Sequence, residues 1–120
     1  MPNIQNEPIL TALHYLFSHE GDRTVAHCLD LDIAANGENI AEAEENLNAL
    51  VLAQIASCFS SGNFSQLKFK APFEYWEALA GARQLDTVRL EVEVPPVVLP
   101  VERRKVLLPV VRSERELVAA

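Results

Sequence analysis

In ILTALHYLFS, residues 9–18, apolar side chains occupy both alternating sides of the run. Ile9, Thr11, Leu13, Tyr15 and Phe17 fall on one side, with Leu10, Ala12, His14 and Leu16 on the other. A period of two in a run rich in aromatic and β-branched residues predicts a strand. His19-Glu20-Gly21-Asp22 then supplies turn residues, and Arg23 to Leu29 reads as the returning strand of a hairpin. Leu31 to Asn36 reads as a third strand, with Leu31, Ile33 and Ala35 on one face and Gly37 as its stop.

The period changes after Gly37. Ile40, Ala43, Leu47, Leu50, Val51, Ile55, Cys58 and Phe59 recur at the spacing of a buried helical stripe. Asn39 is the expected N-cap, with Glu42 three residues on as in a capping box, and Ser60-Ser61-Gly62-Asn63 ends the helix. Leu52 and Ala53 widen the apolar face, which implies a contact beyond the sheet, either a second helix or another subunit. Asn63 to Lys70 holds no single period. A second helix is expected from Pro72 to Gln84, placing Phe73, Trp76, Leu79 and Ala80 on one side to cap the core.

Thr87 to Val94 alternates again and predicts a later strand. Beyond it, Pro95, Pro96, Pro100 and Pro109 interrupt a stretch rich in Val and Leu. Prolines at that density argue against a regular helix or a central strand. The reading is an extended tail, mobile or docked on a partner surface, and not a helix-turn-helix or ribbon-helix-helix module. The pattern as a whole predicts an α+β fold: a three-stranded antiparallel sheet in the order β-β-β-α, a second helix and a later strand. Its divisions are 1–86 for the main domain, 87–94 for the added strand and 95–120 for the tail.

Composition narrows the function. A chain of 120 residues suffices for one domain with a modest core. It has no apolar run of the roughly 18 residues a membrane helix needs, and MPNIQNEP lacks the features of a secretory leader. A cytoplasmic protein is therefore expected, with Cys28 and Cys58 as buried thiols. Charge is uneven. Residues 1–59 hold nine acidic residues against one Arg, a balance of −8, and residues 60–120 hold nine basic against eight acidic, a balance of +1. An acidic front half disfavours direct nucleic-acid binding and favours a basic protein partner.

The hairpin followed by HCLDLDIAANGENIAEAEENL resembles the HicB antitoxin family. The residues that carry the likeness are Cys28, Asp30, Leu31, Asn36-Gly37, Glu42-Ala43 and Asn46-Leu47, within residues 9–59. The resemblance implies a partial ribonuclease-H-like fold, self-association into dimers or larger oligomers, and masking of a small basic mRNA-cleaving toxin. It also implies, in many members, a C-terminal DNA-binding module that represses the operon; the proline-rich tail here departs from that pattern, which fits an orphan HicB-like protein.

No catalytic motif is evident and no cofactor or metal is expected. The partner-binding residues expected from charge are Glu38, Glu42, Glu44 and Glu45, against the plain reading of a solvated helix face. The alternative is a small metal-binding or hydrolytic domain. If Ser18 faces Arg23, then His14 faces His27, and Asp30 or Asp32 could join them. Against it, the two aspartates also read as turn residues, and a third and fourth strand-borne carboxylate to complete a two-metal nuclease site beside them are not evident.

Overall fold

The computed structural model describes residues 12–63, 70–94 and 104–115. These form an α+β fold with a mixed, open six-stranded sheet and two helices. Strand β1 (Leu13–Glu20) and strand β2 (Arg23–Cys28) pair antiparallel with Glu20 opposite Arg23, so Gly21 and Asp22 alone make the loop. Gly21 takes φ 66°, the positive value that two-residue hairpins ask of glycine. Strand β3 (Ile33–Gly37) then pairs antiparallel with β2.

Helix α1 (Ile40–Ser61) starts as its sequence dictates. Asn39 accepts a hydrogen bond from the Glu42 amide at 2.8 Å, and the Glu42 carboxylate accepts one from the Glu38 amide at 2.8 Å. The helix ends at Gly62, whose left-handed backbone turns its N–H onto the Cys58 carbonyl. At the strand–helix junction the chain passes so close to itself that a Cβ on Gly37 would lie 2.5 Å from the Ala43 amide nitrogen.

Helix α2 (Phe73–Ala80) is shorter than the expected Pro72 to Gln84. The Gly81 amide closes it on the carbonyls of Ala78 and Leu79, and the next residues are drawn into the sheet as strand β4 (Arg83–Gln84). Strand β5 (Val88–Val94) and strand β6 (Arg104–Glu114) complete the set. β6 pairs antiparallel with both β4 and β5, with Gln84 opposite Ser113 and Val88 opposite Val110. Three residues therefore face two at Leu85 to Thr87, a bulge dividing one edge strand into β4 and β5.

The main departure from the sequence reading is β6. Residues 104–114 lie within the region expected to be a tail unable to enter a sheet centre, yet they run between β1 and β4/β5. Their pairing with β1 is parallel, from Leu13 opposite Val110 to Phe17 opposite Glu114. Pro109 is tolerated because it stands one residue before the β1 ladder begins, so its missing N–H falls where the described sheet pairs β6 on one side only. The sheet thus has six strands instead of three plus one. Pro95, Pro96 and Pro100, the start of the first expected strand (residues 9–11), and most of Asn63 to Lys70 lie outside the described residues.

Helices cover both faces. On one, Leu13, Tyr15, Phe17, Ala26 and Cys28 meet the α1 stripe of Ala43, Leu47, Val51, Ile55 and Cys58, continued by Leu90, Val92, Leu108 and Val110. On the other, Leu16, Leu29 and Ala71 lie under Tyr75, Trp76 and Leu79 of α2. The Trp76 indole donates to the Ala71 carbonyl at 3.1 Å. Phe73, expected among the capping residues, is instead 74% exposed. Because α2 sits across the sheet from α1, it does not cover the widened α1 face; Leu52 packs on the α1-side core and Leu50 stays exposed.

Candidate functional site

The acidic residues picked from charge fall at the start of α1 and divide into two kinds. Glu38, Glu42 and Glu45 are exposed, with Glu42 also tied to the helix cap. Glu44 turns inward. Both its oxygens accept from Arg112 on β6, from Nε at 2.8 Å and from Nη2 at 3.0 Å. The two side chains are each 16% exposed, and the guanidinium lies 5.7 Å from the centre of the Phe17 ring. A fork-to-carboxylate pair of this kind is a strong, oriented contact. It fastens β6 to α1, so the Glu44 carboxylate is engaged within the chain.

The hairpin register corrects the facing of the two histidines. With Glu20 opposite Arg23, His27 stands across from Leu16. The shift from the expected register is two residues, so His14 and His27 stay on one sheet face, now as diagonal neighbours. Each binds a different aspartate of the β2–β3 turn. His14 Nδ1 lies 3.0 Å from Asp30, whose other oxygen accepts the His14 backbone N–H at 2.6 Å. His27 Nε2 lies 2.8 Å from Asp32, which sits at φ 54°, a turn conformation that aspartate tolerates.

The rings also pack edge-on against α2, His14 on Trp76 at 5.5 Å and His27 on Tyr75 at 4.8 Å between centroids. An imidazole held by a carboxylate can serve as a base. Here, however, neither His14 nor His27 meets a hydroxyl or thiol nucleophile among the described residues, and these include no group of three or more His, Cys, Asp or Glu that could hold a metal. What the pairs visibly do is seat α2 on the sheet.

One polar network was not legible in the sequence. His19, read as part of the turn, is the last residue but one of β1, and its Nε2 lies 2.7 Å from Glu114. Glu114 also binds Arg83 of β4, while His19 Nδ1 lies 3.4 Å from the Thr24 hydroxyl. The bonds from His19 and Arg83 hold the Glu114 carboxyl below its usual range. The order Thr, His, Glu has the look of a nucleophile with its base, but Thr24 is 3% exposed and no substrate could reach it. The network ties together β1, β2, β4 and β6.

Cys28 and Cys58 are free and buried, as expected. Burial, and then the charge of Asp30, push the Cys28 thiol up to about 12, far from the reactive range. Burial likewise raises the Tyr15 phenol, which donates to Asn48 at 2.7 Å. No described helix is long and apolar enough to cross a membrane. No family model matches this chain, and neither a curated protein nor a solved structure matches it.

Proposed function

We propose that this chain is a non-enzymatic, HicB-like protein-interaction domain of the cytoplasm. It self-associates and uses the acidic start of α1 to mask a small basic mRNA-cleaving toxin. The observation that carries this reading is the disposition of charge. The front half holds the acidic excess, and Glu38, Glu42 and Glu45 are exposed together where α1 begins. Charge complementarity of that sort speeds and orients docking of a basic protein. Glu44 lends support from behind by anchoring the helix to β6.

The hydrolytic or metal-binding alternative rests on His14, His27, Asp30 and Asp32, which are engaged as two separate pairs packed under α2. The test is co-expression with any short basic open reading frame found beside its gene. The expected result is a complex retained at low salt, released at high salt, and weakened at least tenfold by Glu38→Lys with Glu45→Lys. A complex indifferent to both substitutions overturns the docking surface. The lack of any basic partner overturns the antitoxin reading.

A further inference from the structure

Each end of the sheet leaves a strand with one unpaired side among the described residues, and the two edges are built differently. β3 has five residues, ends in Asn36-Gly37, and has its Asn36 carbonyl taken by the Asn46 side chain of α1 at 2.9 Å. That edge is short and partly covered, the usual defence against unwanted pairing. β5 has seven residues, Val-Arg-Leu-Glu-Val-Glu-Val, with neither proline nor glycine. Its register on β6 is unbroken from Val88 to Val94. The bulge at Leu85 to Thr87 lies outside this run. A long and regular edge is a template for another strand, and here its charged positions, Arg89, Glu91 and Glu93, restrict which strand can pair with it.

The side chains of β5 identify the strand that fits. Turned antiparallel on itself about Leu90, the strand sets Leu90 opposite its own copy and Val88 opposite Val92 of the partner subunit. Arg89 then meets Glu91 of the partner subunit; by symmetry the Val88–Val92 and Arg89–Glu91 contacts each occur twice and Leu90–Leu90 once. Both apolar and both charged positions match in this register. Centring on Glu91 instead sets that carboxylate against its own copy on the axis, a repulsion that offsets the Arg89 to Glu93 pairs the register would also form. Glu91 and Glu93 also have contacts within their own chain, so the cross-strand pairs supplement those.

We infer that β5 is a homodimerisation edge, at which two copies pair Val88 to Val92 antiparallel about Leu90 and join their six-stranded sheets into one. Facing residues of an antiparallel pair point to the same side, so both α1 helices lie on one face of the joined sheet. This inference rests on the self-association proposed above and is independent of any basic partner, because Glu38 and Glu45 lie on α1 and not on β5.

The test uses the full chain at several concentrations in sedimentation equilibrium. The parent should show twice the mass of the 13.3 kDa chain. Arg89→Glu and Glu91→Arg each replace two attractive pairs by two repulsive ones and should raise the dimer dissociation constant about tenfold or more. The double variant R89E/E91R restores opposite charges and should return it to within about threefold of the parent. In the parent, amide exchange along Val88 to Val94 should slow as concentration rises, a readout that needs no variant. A monomeric parent overturns both self-association and this edge. A dimer unmoved by either single variant, with β5 exchange independent of concentration, overturns the edge alone.

Discussion

Replacing Arg112 with leucine removes the clasp between β6 and α1 and leaves Glu44 against an apolar neighbour. Breaking a fully buried ion pair from one side costs about 3–5 kcal/mol, whereas a fully exposed pair contributes about 1 kcal/mol or less. Both side chains are 16% exposed, which places the Arg112→Leu cost near the buried end, at about 2–3 kcal/mol. Urea unfolding followed by far-UV circular dichroism should show the midpoint fall by that cost divided by the slope m, with the slope itself unchanged. In a melt, the loss should be roughly 8–12 °C for a chain of this size. Glu44→Leu alone strands the guanidinium and should cost a similar amount. The double variant removes both charges together and should recover at least about 1 kcal/mol relative to the sum of the singles. A cost below about 0.5 kcal/mol for Arg112→Leu, or strict additivity, would show that the pair does not hold β6 in place.

Gly37→Ala should destabilise by about 2 kcal/mol or more, because its new methyl would meet the Ala43 and Glu42 backbone, which cannot step aside; the same urea titration measures it. Glu114 has its carboxyl pulled below the ordinary value of 4.5 by His19 and Arg83. Its stabilising contribution is therefore full above that value and is lost as the pH falls through the lower folded-state value. Glu114→Gln should be less stable than the parent at pH 7 and converge with it in acid, as melts across pH 2–7 would report. Cys28, buried and pushed up to about 12, should resist a thiol reagent at pH 8 in the native protein and react fully in denaturant. Rapid native labelling at Cys28 would contradict the packing under α1.

What the sequence made legible was the part with short-range logic. The hairpin, the third strand, the Asn39 cap and the Gly62 stop are each encoded within a few residues, and the structure has all of them. The exact register was less legible. Reading His19 and Glu20 as loop lengthened a two-residue turn to four, and the pairing of the histidines shifted by two residues.

β6 could not be read locally. Its neighbour β1 lies 97 residues away by the pairing of Leu13 with Val110, and nothing in a local period records a parallel contact at that distance. Pro109 pointed the other way, since proline breaks a central strand only where its missing N–H would have faced a paired neighbour, and at Pro109 the β1 ladder has not begun. The candidate site followed the same rule. Glu38, Glu42 and Glu45 are exposed as their pattern implies. Glu44 differs because its partner Arg112 belongs to the strand that was missed.

The parallel contact between β1 and β6 also sets the order in which the molecule can assemble during translation. The ribosome delivers β1, β2, β3 and α1 first, and the strand that seals the flank of β1 is the last described element to emerge. Until then one side of β1 remains open, with Leu13, Tyr15 and Phe17 lacking the wall that Val110 and Arg112 provide. The nascent chain therefore passes through a stage in which this flank of β1 is already made but stays unsealed until β6 emerges.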